Sequence, residues 1–465
     1  MSFNIVDVEK FEVRPNNEPS NRTFSFRSGN PIISINVPAQ NKLLRPSSVR
    51  INGRLRIQTA AGVLPDPNNI KGGGASVIRL SSRVGVSSVI QNVNIASEAT
   101  NQTLEAVRQY GRLVNHILTN THSPDDFQNE KSVTSMATAQ QSTTDNLYIQ
   151  DTDFSIPLYC GMFMGGNPIP LSSNGVNGLT INLELASDNQ ALFGANAGDN
   201  AGAFFEVSNV SLSGDYLIPD DAGMNKLSVA GSGAFQYNSY SSLYSVINSS
   251  DATQTYNLAN SNVLSIIHSF LPVTHSNNYA QNSFANGELL NRDGAGNYNQ
   301  AVTLNKVSFS RGGVKIGLDY EIDCETQSSE NRPKSQLMLN ALNAFKEFNK
   351  STRFLNQPQM EGFGGRDLVP WTDKTLEVNN NVPTGASIET RSGRQTTQEI
   401  DVGIRNFIIA LALDRVSDVG VNFKGQSYST RIQSTLDGNS PNAIYTYVLS
   451  KNVLQYTPNG ISVMS

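Results

Sequence analysis

The sequence predicts an all-β chain built from two β-sandwiches in tandem. Three observations carry this reading. Short segments that alternate apolar and polar residues recur along the chain, clusters of turn residues separate them, and the order strands, helix, strands occurs twice. The chain has 465 residues. One hydrophobic core stops growing near ~250–300 residues, so two domains are expected, over 1–221 and 222–465.

The first half opens with a strand at 32–37, closed by Pro38. Residues 48–57 alternate almost throughout, which places Arg50, Arg54 and Arg56 on the face opposite the core. That face is either solvated or inter-sheet, or it meets another subunit. A strand at 88–95 follows. From Leu104 the apolar positions Leu104, Val107, Tyr110, Val114, Ile117 and Leu118 have helical spacing. Thr103 or Asn101 would cap that helix, Glu105 would sit in its first turn, and it would end by Asn120, ahead of Pro124. The cleanest alternation in the chain is 178–185, and strands at 204–212 and 215–218 close the half. Residues 219–223, with Pro219, Asp220, Asp221 and Gly223, read as the boundary.

The second half repeats the order. Strands are expected at 235–240 and 243–247, a fully buried one at 263–271, and alternating ones at 302–309 and 314–322. Pro333 suits the first turn of a second helix whose apolar stripe is Leu337, Ala341, Leu342, Ala344, Phe345 and Phe348. Apolar segments at 400–413 and 444–449 complete the half. The polar stretches 123–145, 189–203, 276–300 and 356–394 are expected to be long loops.

Composition narrows the function. Charged residues are 16% of the chain, against ~25% in ordinary soluble domains, and uncharged polar residues fill the difference. The net charge is -5, with a sequence pI of about 5.5, so no basic face for direct nucleic-acid binding is expected. Two cysteines, Cys160 and Cys324, cannot form a disulfide framework and are expected as buried free thiols. The start of the chain carries no secretory signal, and 407–413 is too short to span a bilayer. Sequons at Asn21, Asn101, Asn209, Asn248 and Asn349 are expected by chance in a chain so rich in Asn, Ser and Thr. Synthesis in the cytosol follows.

The residues that could carry chemistry do not combine into a site. His116 and His122 are too far apart for one helical face, and His268 and His275 bracket an apolar strand. No zinc-like spacing, nucleophile elbow or EF-hand occurs, and Gly72 to Gly74 lack the Gly-Lys-Ser/Thr of a phosphate loop. The carboxylate pairs Asp151 with Asp153, Asp220 with Asp221, and Glu321 with Asp323 read as solvated loops or strand ends, while Asp125-Asp126 and Asp151-Thr152-Asp153 offer oxygens for calcium and leave a cation at a subunit interface open. A single tryptophan, Trp371, argues against a sugar-processing sandwich. No catalytic, cofactor-binding or metal-binding residue is expected, no cofactor is implied, and the chain is not read as an enzyme.

Several segments resemble one family. They are 44–55, with its Pro46-Ser47-Ser48 entry; 84–93, leading into Leu104 to Tyr110; and 154–163, followed by Ile169-Pro170-Leu171 and the strand 178–185. In this order they resemble the double jelly-roll major capsid proteins of the adenovirus-like lineage, in particular those of virophages and polinton-like viruses. The resemblance implies two tandem eight-stranded jelly rolls, each with a short helix and long loops. It implies a homotrimer whose lobes approximate a hexagon and tile an icosahedral shell in the virion. It also implies contacts with neighbouring capsomers and with penton and minor capsid proteins. Residues 1–19 would face the interior and brace neighbours or touch an internal layer. The sequence leaves open whether that layer is a membrane. The competing readings are a viral or phage receptor-binding or fibre protein, without the heptads a fibre would use, and a sandwich-fold carbohydrate enzyme.

Overall fold

A computed structural model describes residues 4–58, 78–81, 84–121, 151–194, 202–229, 231–279, 283–284, 289–296, 298–317, 321–323, 335–345, 408–413, 419–457 and 460–464. The main strands of the first half are β1 (Ile5–Val13), β2 (Ile32–Val37), β3 (Arg50–Gln58), β4 (Ile90–Ser97), β5 (Thr103–Arg108), β6 (Asp151–Pro157), β7 (Leu179–Leu185) and β8 (Phe204–Pro219). Those of the second half are β9 (Gly233–Ile247), β10 (Asp251–Asn257), β11 (Val263–Pro272), β12 (Leu304–Arg311), β13 (Ile409–Ala412), β14 (Ser427–Ser434) and β15 (Asn442–Thr457). Helices are α1 (Tyr110–Thr121), α2 (Gly161–Met164), α3 (Asp188–Ala191), α4 (Asp221–Ser228) and α5 (Ser335–Ala344).

The pairing is that of jelly rolls, in which the chain passes back and forth between two sheets. In the second half, β9, β11, β13 and β15 share one sheet in the order β13-β11-β15-β9. The intervening β10, β12 and β14 make the other, in the order β10-β14-β12. In the first half, β2, β7, β4 and β5 form one sheet, while β3, β6 and β8 form the other with β1 added to β8. The alternation of β7 and β3 turns one face of each inward: Leu179, Ile181, Leu183 and Leu185 from one sheet, and Ile51, Leu55 and Ile57 from the other, are at most 2% exposed. Buried side chains from both halves form one continuous cluster.

Strands expected as pairs are single long ones. Residues 204–212 and 215–218 belong to the sixteen-residue β8, and 235–240 and 243–247 to β9. The expected strand at 263–271 is β11, buried at every position. The segment 314–322 divides into Val314–Ile316 and Ile322–Asp323, both paired with β12. Of 400–413, only 408–413 are described, and of the long loops, 123–145 and 356–394 lie outside the described residues. Pro333 and Phe348 also lie outside them. The loop expected at 189–203 contains most of α3 and a short strand, Leu192–Gly194, and that at 276–300 contains the strand Leu290–Arg292.

One helix begins later than its spacing predicts. Leu104 and Val107 lie on β5, which pairs antiparallel with β4 and meets β9 on its other edge. The strand buries Glu105 and Val107 on one face and Leu104 alone on the other, and the pair Leu104 and Val107 mimics helical spacing. The backbone turns at Gln109, whose φ is 54°, and α1 starts at the next residue. The helix is sunk in the protein: Tyr110, Leu113, Val114, Ile117 and Leu118 are fully buried, and so nearly are Arg112, Asn115 and His116.

The second lobe holds a polar knot in its core. His268 on β11 reaches Thr446 of β15 through Nδ1 (2.8 Å), and Tyr428 and Thr430 of β14 through Nε2 (2.9 and 2.8 Å). It therefore ties the two sheets together. Burial lowers the His268 pKa from 6.5 to about 3. The unfolded chain takes up this proton near pH 6.5 while the folded chain refuses it until about pH 3, so stability is full above pH 6.5 and falls as the pH drops through that window. His268→Gln is expected to make chemical-denaturation stability less steep in pH between about 6 and 4, and to cost about 1–3 kcal/mol at pH 7. An unchanged slope would assign the acid sensitivity elsewhere.

Candidate functional site

The feature that stands out lies where the two halves meet. β5 of the first half and β9 of the second join in parallel, with the single register pair Ala106 to Ser241, and this merges the two inner sheets into one. So brief a pairing leaves backbone donors of β9 without strand partners, and a side chain takes over. The Glu105 carboxylate accepts from Tyr240 N–H of β9 (2.8 Å) and from Gly161 and Met162 N–H (2.7 and 2.9 Å). The last two are orphan donors in the first turn of α2. One carboxylate thus satisfies three backbone donors from two elements, α2 and β9.

Gly161 permits this approach. A Cβ there would lie 2.8 Å from Ser239 Cα and 2.9 Å from its backbone nitrogen. No side chain fits, because α2 presses its backbone directly on β9. Side-chain bonds extend the seam on both sides. Tyr237 OH donates to Leu104 O (3.1 Å), Arg108 N–H to Ser242 Oγ (3.0 Å), and Tyr447 OH to Gln109 O (2.9 Å). On α1, Asn115 donates to Phe284 O (2.8 Å) and His116 Nε2 lies 2.7 Å from Ser269 Oγ. Arg112 donates to Ser283 O and covers the Tyr445 ring at 5.0 Å.

The electrostatics are those of a closed interior. Burial pushes the Glu105 carboxyl up to about 7, against the downward pull of its three N–H donors. Burial first, and then the nearby Glu105, hold the Cys160 thiol well above its ordinary range. Cys160 is a buried free thiol, as expected, and Cys324 lies outside the described residues. His275 is lowered to about 4 by burial and, secondarily, by Arg112. The arrangement offers no water-accessible acid beside a nucleophile. What it can do is clamp.

The other residues singled out by sequence are scattered. Asp153 is exposed on β6. Asp220 caps α4, accepting from Gly223 N–H at 2.8 Å, and Asp221 is exposed in the first turn. Glu321 receives Lys315 (2.8 Å) and Lys306 (3.2 Å). Arg50 donates to Ser155 Oγ (3.0 Å) and Ser155 O (2.7 Å), and Arg54 and Arg56 are exposed on the same strand. His122, Asp125, Asp126 and Trp371 lie outside the described residues. Among the described residues no three His, Cys, Asp or Glu come together as metal ligands, and no helix is long and apolar enough to cross a membrane. Sequence reasoning placed Glu105 in the first turn of a helix and missed its role. The only local signal is an acid between Leu104 and Val107 in a segment that also reads as a strand.

Glu105→Ala leaves three buried N–H groups without an acceptor. The expected loss is about 3 kcal/mol or more, read by chemical denaturation at pH 7. Gly161→Ala, by driving a methyl into Ser239, is expected to lower the thermal midpoint as well. A wild-type midpoint in both variants would mean the seam is not held here.

No protein-family model matches the sequence, and a search of curated proteins finds no match either. Solved structures do match over the whole chain. A quasi-atomic model of the PBCV-1 virus capsid superposes with a TM-score of 0.55 at 12% identity, covering 100% of this chain and 98% of that one. The cryo-EM structure of the Sputnik virophage gives 0.52 at 11% identity, covering 100% and 89%. The Faustovirus major capsid protein gives 0.50 at 9% identity, covering 98% and 92%. At such identities the likeness is one of fold, and the alternation of strands between paired sheets in both halves agrees with it: this chain has the double jelly-roll fold of the viral major capsid proteins.

Proposed function

We propose that the chain is the major structural subunit of an icosahedral viral shell. The observation that carries this is the end-to-end match with capsid structures, nearly complete on both sides. In this reading residues 1–221 and 222–465 are the two lobes of one subunit. Three subunits form a capsomer in which six similar lobes make a pseudo-hexagon. Threefold symmetry then supplies close to sixfold packing, which is what a flat facet requires.

Three properties of the chain suit the task. The clamp at Glu105 makes one stiff body of two lobes, so a force on one is passed to the other. The low charge content suits broad subunit contacts, since interface cores are depleted in charge. An obligate interface of this kind commonly buries ~2,000–5,000 Å². The strand β1 is paired with β8 on one edge, while its other edge has no strand partner among the described residues, and Val6 and Val8 are 61% and 49% exposed. An uncovered strand of this length is ordinarily covered by something. In the proposed shell β1 lies against a neighbouring subunit. Penton and minor capsid proteins are further partners of the same shell, and the virion is where the protein resides.

Light scattering of the purified protein, with negative-stain imaging of the same peak, tests the capsomer. Three chains of 50.4 kDa give a particle of about 151 kDa, and its outline should be a pseudo-hexagon. A stable particle of 50.4 kDa at micromolar concentration would count against the proposal. Removal of residues 1–13 is expected to leave the lobes folded and to reduce shell assembly. Undiminished assembly would remove β1 from the contacts between subunits.

A further inference from the structure

The seam opens outward into a cleft of about 300 Å³ that both lobes line. Gln91 of β4 and Arg108 of β5 contribute from the first, and Tyr244 of β9 with Tyr445 and Tyr447 of β15 from the second. This volume is at the lower end of the range for small-ligand sites, enough for one or two pyranose rings.

Three features of the lining define a ligand. The first is aromatic. Tyr244 is 58% exposed and its ring lies 5.4 Å from that of Tyr445, tilted by 55°. Tyr445 is backed from inside by the Arg112 guanidinium, 5.0 Å from the ring centroid, and Tyr447 is fixed by its bond to Gln109 O. Tyr447 is fully buried, so the rings the cleft presents are those of the exposed Tyr244 and the partly buried Tyr445, a surface that suits the C–H face of a sugar. The second feature is the Gln91 amide, which has no hydrogen-bond partner among the described residues and can both donate to and accept from a hydroxyl. The third is the Arg108 side chain. It is exposed at the cleft and takes part in no ion pair or side-chain hydrogen bond among the described residues. The nearest acid in register is Glu184, two strands away, and Asn92 stands between them and donates to it at 2.6 Å.

A guanidinium free for paired N–H donation suits an oxyanion, and a carboxylate is the one that carries a single charge on a sugar. One such cation, on a chain of net charge -5, suits a ligand with a single negative charge and repels a polyanion. A peptide would need a deep apolar pocket for a side chain, and polar and tyrosine groups line this cleft instead. We infer that the cleft between the lobes binds an acidic sugar, with its carboxylate on Arg108 and its ring against Tyr244. Glycan capture of this kind goes beyond a purely structural role and does not depend on the trimer.

The test uses the full-length protein with 3′-sialyllactose as probe and lactose as its neutral counterpart, read by saturation-transfer NMR and titration. Sialyllactose should bind at least tenfold more tightly than lactose. Arg108→Ala should bring the two sugars to equal affinity, and Tyr244→Ala should weaken both. Both side chains are exposed, so the variants should keep the wild-type thermal midpoint. Absence of saturation transfer to sialyllactose at millimolar concentration, equal binding of the two sugars by wild type, or undiminished sialyllactose binding by Arg108→Ala would each overturn the inference.

Discussion

The arrangement of this molecule depends on one buried carboxylate. Two sheets that touch through a single backbone register would be a hinge. Glu105 makes them a joint, because a carboxylate accepts several bonds at once and α2 and β9 both present spare donors to it. The cost of burying a charge is offset only where such donors converge, and the upward displacement of its pKa records how much of that cost remains. Gly161 belongs to the same device, since without the close approach it permits two of those donors would be out of reach.

Polar groups serve the core elsewhere in the same way. His268, Thr446, Tyr428 and Thr430 link the two sheets of the second lobe, where apolar packing would suffice for stability but would specify their alignment less well. Asn115 and His116 do the like for α1 against the second half. A chain poor in charge and rich in Asn, Ser and Thr can place such bonds in its interior at modest cost, which gives its composition a structural meaning as well as a surface one.

The architecture was largely legible in the sequence because period-two alternation reports one-sided burial. The segment 178–185 is unambiguous and is a strand, and 263–271, mostly apolar, is covered on both faces. The signal failed where a strand buried residues of both parities. Leu104 and Val107 have helical spacing although they lie on opposite faces of the strand that carries them, Leu104 being the one buried residue of its face. The clamp was illegible for a different reason. Glu105 acquires its role from Gly161 and from Tyr240, which is 135 positions away, and no local pattern encodes that meeting. The cleft is likewise assembled from residues of both halves.

The place of β15 in the chain has a consequence for how the protein is made. It runs antiparallel to β9 along its whole length and to β11 on its other side, yet both of those strands come far earlier in the sequence. During synthesis at ~5–20 residues per second, β9 and β11 wait on the order of ten seconds or longer with open edges before the strand that separates them emerges. A nascent chain in that interval carries two bare templates for pairing with its neighbours on the same message. Crowded polysomes, with many copies stalled at this stage together, are therefore the point of greatest hazard. A chain cut short before residue 442 never leaves it, and so cannot pass for a finished fold.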